Sequence, residues 1–548
     1  MSKFYYNEEQ ESYDAIVVGT GISGGWAAKE LTEKGLNVLV LERGKNIEHG
    51  KDYLGEHAKS WSLDHYGMPN RELMASDYPI QSDSYALSEL NLPFWNNDRT
   101  DPYIQTDGKP FSWKRADVVG GRSLLWGRQT YRWSEADFRA NEKDGHGIPW
   151  PVNYEEIAPW YSYVEKFAGI SGEKEGFAHL PDSEFLPPME YYELEKTIKK
   201  RVHRKLDDVK ITMGRCAVLT QPHKGRAACH YCGPCHNGCS TGSYFSSQSS
   251  TLPAALATGN MTLLPNQLVA SLGHDESGRK ITSVNVIDTV SGEKRQFSAK
   301  LIFLCASTVA SAQILLNSAS SKHPNGLANK SGVLGQNVMD HGMIAHVGMF
   351  VDHTDKYFSG NRPNGLYIPR FRNLNGQDED ADFVRGYGYQ AHTIRPGWQM
   401  NFNKKGFGAE LKESLTKPGP LWIWAMAGFL ECLPYADNKI TLHPTKKDRF
   451  GLPMVVTQFE WGANERKIAA DTGKQAARIL RAAGAVYSRI ADTNALSVGG
   501  AGIHEMGTAR MGNDPETSVV NSWGRAHDVR NLFIIDGSIF VTSGGVNP

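Results

Sequence analysis

The sequence has 548 residues, with 59 Lys and Arg against 60 Asp and Glu and a formal charge of −1. Hydrophobic residues make up 40% and charged residues 22%, which excludes a disordered chain, a coiled coil and a collagen-like fibre. The balanced charge gives no reason to expect nucleic acid or an anionic membrane as a partner.

Residues 1–14 are polar and acidic, without an apolar signal core, so no export signal is expected on the chain itself. Asp14-Ala-Ile-Val-Val-Gly19 reads as a buried parallel strand. Gly19-Thr-Gly21-Ile-Ser-Gly24 then opens a helix that runs to about Glu33, with Trp26, Ala27, Ala28 and Leu31 on its apolar face. Gly35 stops it. Asn37-Val-Leu-Val-Leu-Glu42 is a second buried strand ending in an acid. This β–α–β context is what a dinucleotide-binding fingerprint requires. Gly19 permits the tight turn, Gly21 lets backbone approach a pyrophosphate, and Gly24 allows close helix–strand packing. The helix N-terminus offers free N–H groups to phosphate. Glu42 can accept from ribose hydroxyls, and the neighbouring Arg43 is placed at the cofactor with it. The fingerprint alone does not separate NAD from FAD.

Residues 45–110 read as loops and short helices, and Val118 to Gly127 as an apolar, glycine-rich loop. Trp150 to Ala168 has helical spacing. The basic stretch Lys196 to Lys205 reads as a solvated helix face. Met261 to Leu272 and Ile281 to Val290 read as strands of one meander, Lys300 to Ala306 as a buried strand and Ser307 to Leu316 as a helix. Residues 341–460, including Leu421 to Ala425 and Lys439 to His443, suggest a largely antiparallel sheet. The apolar run Leu421 to Leu430 is about half of the roughly twenty residues a membrane span needs, so no transmembrane segment is expected. Asn464 to Ala483 reads as a helix, and Asn531 to Asp536 as a last buried strand ending in an acid.

Four of the seven cysteines, Cys229, Cys232, Cys235 and Cys239, fall in one short run. Their spacing matches the bacterial ferredoxin pattern, with Ser240 where that pattern has proline. Iron–sulfur ligation is the leading reading. Zinc remains open, although zinc more often uses separated pairs, as do free or disulfide-bonded cysteines.

The fingerprint, Val119-Gly-Gly-Arg-Ser-Leu-Leu-Trp126-Gly, Gly502-Ile-His504-Glu-Met-Gly, Phe533-Ile-Ile-Asp536-Gly-Ser538 and Gly545-Val-Asn547-Pro548 occur in this order. Together they resemble the glucose–methanol–choline (GMC) family of flavin oxidoreductases over nearly the whole chain. The resemblance implies an α/β fold with two parts. One is a discontinuous Rossmann-like FAD-binding domain (12–60, 110–140, 215–340 and 495–548, carrying the cysteine run at 226–242). The other is an α+β substrate domain with a largely antiparallel sheet (141–214 and 341–494).

It further implies that Gly120, Gly121, Ser123 and Trp126 lie near the flavin ring. Asp536 and Gly537 would meet its ribityl and phosphate region, and Val269 the adenine. Leu125 stands where some relatives carry a histidine bonded to the flavin, so FAD is expected to be non-covalent. His504 and Asn547 match the family's catalytic pair: an imidazole of near-neutral pKa to take the hydroxyl proton, and an amide to orient the substrate oxygen. Other histidines, His341 and His443 among them, are read as structural. The family usually continues with a helix after this Asn-Pro, whereas this sequence stops at Pro548.

The cysteine run is similar to that of a bacterial branch of sugar dehydrogenases, and most like the large subunit of glucoside 3-dehydrogenase. That branch implies oxidation of a secondary hydroxyl of a sugar or glycoside to a ketone, with C3 of a pyranoside the best candidate. Electrons would pass from flavin through a 4Fe-4S or 3Fe-4S cluster to a c-type cytochrome. A small subunit carrying the export signal would bring the chain to the periplasm; a cytoplasmic chain is the alternative. Competing readings are an oxidase that uses O2, the large subunit of a gluconate, fructose or glucose dehydrogenase, and a non-catalytic flavin-fold protein with a zinc knot. His504 and Asn547 argue against the last. The aromatic residues Tyr387, Tyr389, Trp398, Trp422 and Trp424 would suit stacking on a sugar ring, but core packing is the expected role for most of them.

Overall fold

The computed structural model describes residues 12–53, 56, 58–233, 235–351, 362–374, 376–396, 406–416, 420–494 and 496–548. A five-stranded, all-parallel sheet has the order Leu532–Ile534, Ala299–Leu304, Tyr13–Val18, Val38–Leu41, Met261–Leu264. Ala15, Ile16, Val17 and all four residues of Val38–Leu41 are buried, as strands covered on both faces must be. Three strands end in register at Val18, Leu41 and Leu304. Gly19, Glu42, Cys305 and Asp536 therefore emerge along one edge, where ligands bind in open parallel sheets.

The stretch 261–272 is not one strand of a meander. Pro265 and Asn266 (φ 60°) break it. Met261–Leu264 joins the parallel sheet, while Gln267–His274 pairs with Ile281–Asp288 and Lys294–Phe297 in a separate antiparallel sheet.

A second, six-stranded sheet is antiparallel throughout, in the order Tyr487–Arg489, Gly342–Val351, Leu421–Leu430, Tyr387–Ile394, Leu366–Ile368, Thr212–Met213. Side chains of Leu421–Leu430 alternate strictly between buried and accessible. Trp422, Trp424 and Met426 take the buried face, packed with Tyr387 and Tyr389 against helices Glu193–Lys205 and Ala463–Ala483. A buried aromatic ring removes about 150–250 Å² from water, on the order of 4–6 kcal/mol at about 25 cal/mol per Å². These four aromatic residues hold the helices to the sheet and face away from the catalytic pair; Trp398 lies outside the described residues.

Lys439–Lys447 does not belong to this sheet. It pairs with Pro453–Gln458, which pairs in turn with Ile104–Gln105. The helix expected from Trp150 begins at Tyr154, because Asn153 caps it and Glu156 closes a capping box. Trp150 packs instead on Trp133, Phe138 and Phe540. The basic stretch lies on helix Glu193–Lys205, whose other face buries Leu194, Ile198 and Val202. Among the described residues no helix is long and apolar enough to cross a membrane.

Candidate active site

The edge of the parallel sheet opens into a cavity of about 550 Å³. It runs from Glu42, Arg43 and Val269 past Gly19, Gly21, Asp536 and Gly537 to Gly121, Ser123, Trp126, His504 and Asn547. Two of the anticipated cofactor residues act behind its wall. Gly24 is a packing position: a Cβ there would stand 1.9 Å from the Gly19 carbonyl oxygen. Gly120 (φ 97°) turns the loop, and its N–H donates to Thr20 Oγ1 at 2.8 Å.

The residues present fit a dinucleotide such as FAD. Gly19 adopts φ 99°, and a Cβ on Gly21 would meet no protein atom within 4 Å, which leaves the first turn of the helix open to the cavity. Glu42 accepts from Thr20 N–H at 3.1 Å, from Thr20 Oγ1 at 2.5 Å and from Gly44 N–H at 2.9 Å. Burial pushes its pKa up, and these donors oppose the shift. Arg43 pairs with Asp117 at 3.2 Å, yet its Nε is buried without a partner. At Val269 the antiparallel ladder shifts register toward Ser271, which frees backbone at the cavity wall. Ser123 Oγ donates to Gly120 O at 2.6 Å, and Trp126 Nε1 to Phe245 O at 2.9 Å, so both are held in place. Asp536 turns inward. Its carboxylate accepts from Ser307 N–H, Ser311 Oγ, Ser538 N–H and Ser538 Oγ, leaving backbone to face the cavity.

At the other end, hydrogen-bond directions follow from a fixed carbonyl. His341 Nε2 lies 2.8 Å from Gly544 O, which can only accept, so Nε2 carries the proton. His341 is buried, and burial lowers its pKa to about 4, so the ring is neutral and its Nδ1 is an acceptor. His504 Nδ1, 3.1 Å away, must then donate to it. This leaves His504 Nε2 unprotonated, and Asn547 Nδ2 donates to its lone pair at 3.0 Å. Gln390 Nε2 donates to Asn547 Oδ1 at 2.6 Å, and Trp133 Nε1 to Asn547 O at 3.2 Å, which fixes the amide. Asp340 fixes the backbone below: its carboxylate accepts from the N–H groups of Gly500, Gly502 and His504. Burial and Glu505 push the Asp340 pKa up to about 7 against those donors.

Burial, then His341 and Arg122, push the His504 pKa well below its ordinary value. The expectation of a near-neutral pKa is therefore corrected. The ring is held unprotonated rather than poised to titrate. His341, Asp340 and Gln390 are positioning residues that the sequence reading missed. His341 in particular was read as structural, and its adjacency to Asp340 was the only local signal. His443 keeps its structural reading: its Nδ1 accepts from the N–H groups of Thr445 and Lys446.

The cysteine run sits beside this cavity. Tyr231, Gly233 and Gly238 adopt positive φ and fold the run into tight turns. Tyr231 N–H points to Cys229 Sγ at 3.4 Å, and the hydroxyls of Thr241 and Ser243 stand 3.3 Å from Cys239 Sγ. Burial, then Cys235, Cys239 and Cys229, push the Cys232 thiol up to about 11, so the four sulfurs lie within one another's field. The N–H and hydroxyl groups beside Cys229 and Cys239 suit thiolates, whereas burial holds Cys232 as the thiol. Convergence into ligating geometry is not found: among the described residues no disulfide joins these cysteines, and no three His, Cys, Asp or Glu form a group that could hold a metal ion.

Two family models, both described as GMC oxidoreductase, match the chain, an N-terminal one over residues 13–343 and a C-terminal one over residues 434–548. The chain is 30% identical to 2-methyl-1,2-propanediol dehydrogenase of Mycolicibacterium austroafricanum, over 98% of this chain and 92% of that protein. It is 26% identical to the fructose dehydrogenase large subunit of Gluconobacter japonicus, over 99% and 96%. It is 24% identical to paromamine 6'-oxidase of Streptomyces fradiae, over 99% and 89%. The crystal structure of pyridoxine 4-oxidase from Mesorbium loti shares the fold with a TM-score of 0.61 at 15% identity, covering 98% of this chain and 96% of that one.

Proposed function

Because the chain belongs to the GMC oxidoreductase family, a family of FAD enzymes acting on CH–OH groups, we propose that it oxidises a secondary hydroxyl of a sugar or glycoside to a ketone, with C3 of a pyranoside the preferred position. The observation that carries this reading is the 3.0 Å approach of the Asn547 amide to the unprotonated Nε2 of His504 at the cavity end. A hydroxyl entering between them would replace this bond, donating to the Nε2 lone pair and accepting from Asn547 Nδ2. His504 Nε2 takes the hydroxyl proton while Asn547 Nδ2 holds the oxygen. His341 keeps the proton off Nε2 by claiming it at Nδ1. FAD, when bound, supplies the hydride acceptor. Carbohydrate-directed names among the relatives, fructose dehydrogenase and paromamine oxidase, support the substrate class.

The finer electron route is part of the same proposal. Cys229, Cys232, Cys235 and Cys239 would hold an iron–sulfur cluster, which supplies one-electron transfer toward a c-type cytochrome. A small subunit carrying the export signal would accompany the chain to the periplasm. The similarity to a protein named as a large subunit supports a multi-subunit assembly.

Anaerobic bleaching of the flavin with a panel of sugars and glycosides, with product ketones located by NMR, tests the reaction. No bleaching by any of them would overturn it. Reduction of an artificial dye far faster than consumption of O2 is expected; dominant O2 consumption would place the chain with the oxidases. Iron and sulfide analysis of anaerobically purified protein tests the cluster. Fractionation with and without the small subunit tests the compartment.

A further inference from the structure

One ion pair at the catalytic end of the cavity has no part in the hydrogen bonds of His504 and Asn547. Arg122 and Glu505 line the cavity together with Gly121 and His504. Arg122 Nη1 donates to Glu505 Oε1 at 2.8 Å and stands 2.7 Å from Oε2. Both partners are fixed from behind. Gly120 (φ 97°) and Gly121 (φ 52°) turn the loop that carries Arg122, and a Cβ on Gly121 would stand 3.5 Å from Gly21 Cα. The Glu505 carbonyl accepts from Thr308 Oγ1 at 2.7 Å, and a Cβ on Gly537 would meet it at 2.6 Å.

The two side chains differ in burial. Glu505 is 2% exposed and Arg122 27%. Among the described residues Glu505 is the one hydrogen-bond partner of the guanidinium, so the N–H groups on Nε and Nη2 are left over. A buried carboxylate thus anchors a half-engaged cation at the cavity wall.

Charge changes at this end when the alcohol is oxidised. The hydroxyl proton goes to His504. The carbon-bound hydride, with both electrons, goes to FAD, which gains one negative charge. A cation held in place beforehand favours that charge, and does so more strongly where water is excluded.

We infer that Arg122, positioned by Glu505, is the cation that raises the reduction potential of bound FAD, and that the Glu505 charge limits its strength. The inference rests on FAD as hydride acceptor and not on the identity of the substrate, so its test uses no sugar.

Sulfite is the probe, because its addition to oxidised flavin leaves the ring negatively charged. The titratable groups facing the pair are Lys114 and Asp340, in the field of Glu505, and His504, in the field of Arg122. All measurements are therefore made at one pH, on holoenzyme with FAD content checked by absorbance. In Arg122→Gln, sulfite binding should weaken about tenfold. The two-electron midpoint potential should fall by about 30 mV, the equivalent of tenfold. Arg122→Lys keeps the charge and should recover most of the affinity. Glu505→Gln keeps the shape, removes the opposing charge and should tighten sulfite binding. If Arg122→Gln loses FAD, the sign of the Glu505→Gln shift decides. Unchanged binding in Arg122→Gln, equal losses in Arg122→Gln and Arg122→Lys, or weaker or unchanged binding in Glu505→Gln would make the pair a structural clamp and overturn the inference. Failure of every sugar to bleach the flavin would overturn the proposed reaction and leave this result standing.

Discussion

The two ends of the cavity are built by different rules. The glycine fingerprint of the nucleotide end comes from one continuous stretch: Gly19, Gly21, Gly24 and Glu42 lie within a single β–α–β unit, and Thr20 and Gly44 bond Glu42 inside that unit. The catalytic end is assembled from distant segments, with His504 bonded to His341 and Asn547, and His341 to Gly544. A local cradle tolerates variation elsewhere. A relay of single hydrogen bonds fails wherever one link is cut.

The largest separation of the two ends comes from His504→Ala. Flavin reduction by substrate should fall about 10³-fold, the scale of a lost general base, while bound FAD, read by absorbance, stays unchanged. Asn547→Ala should cost about 10²-fold through lost orientation, again with FAD retained. Gly21→Val attacks the other end: its side chain enters the open turn, so FAD affinity should weaken about 10–100-fold, measured by titration of the apoprotein.

His341→Ala should lower the flavin reduction rate about tenfold, the cost of one buried hydrogen bond. It should also move the acid limb of kcat/KM to higher pH, because His341 is one of the groups that lowers the His504 pKa. Loss of rate without movement of the limb would assign His341 a packing role only. The smallest effect is on stability. His341 is held at about 4 against an ordinary 6.5, so the unfolded chain binds the proton first. Its contribution is complete above about pH 6.5 and declines as the pH falls toward 4, which denaturant midpoints across that range would register.

The same contrast explains what could be read from the sequence. The nucleotide fingerprint was legible because its contacts are local and its glycines have geometric reasons. His504 and Asn547 were legible only through resemblance. His341 was not, because nothing near residue 341 shows that its ring meets residues 504 and 544. Alternation over Leu421–Leu430 shows two faces but not which one meets the helices, so Trp422 and Trp424 could not be assigned to the core from spacing alone. The stretch 261–272 misled because its hydrophobic pattern continues through Pro265 and Asn266, where the backbone turns. The cysteine run was legible as a pattern of soft ligands, whereas its path through three positive-φ turns at Tyr231, Gly233 and Gly238 was not.

The account stands or falls on the protonation of one nitrogen. The most direct measurement is the ¹⁵N NMR signal of His504, assigned by comparison with His504→Ala, in oxidised holoenzyme near the ordinary histidine pKa of about 6.5. A neutral ring with a pyridine-type Nε2 and a protonated Nδ1 is the predicted result. A proton on Nε2, or a doubly protonated ring at that pH, would contradict it.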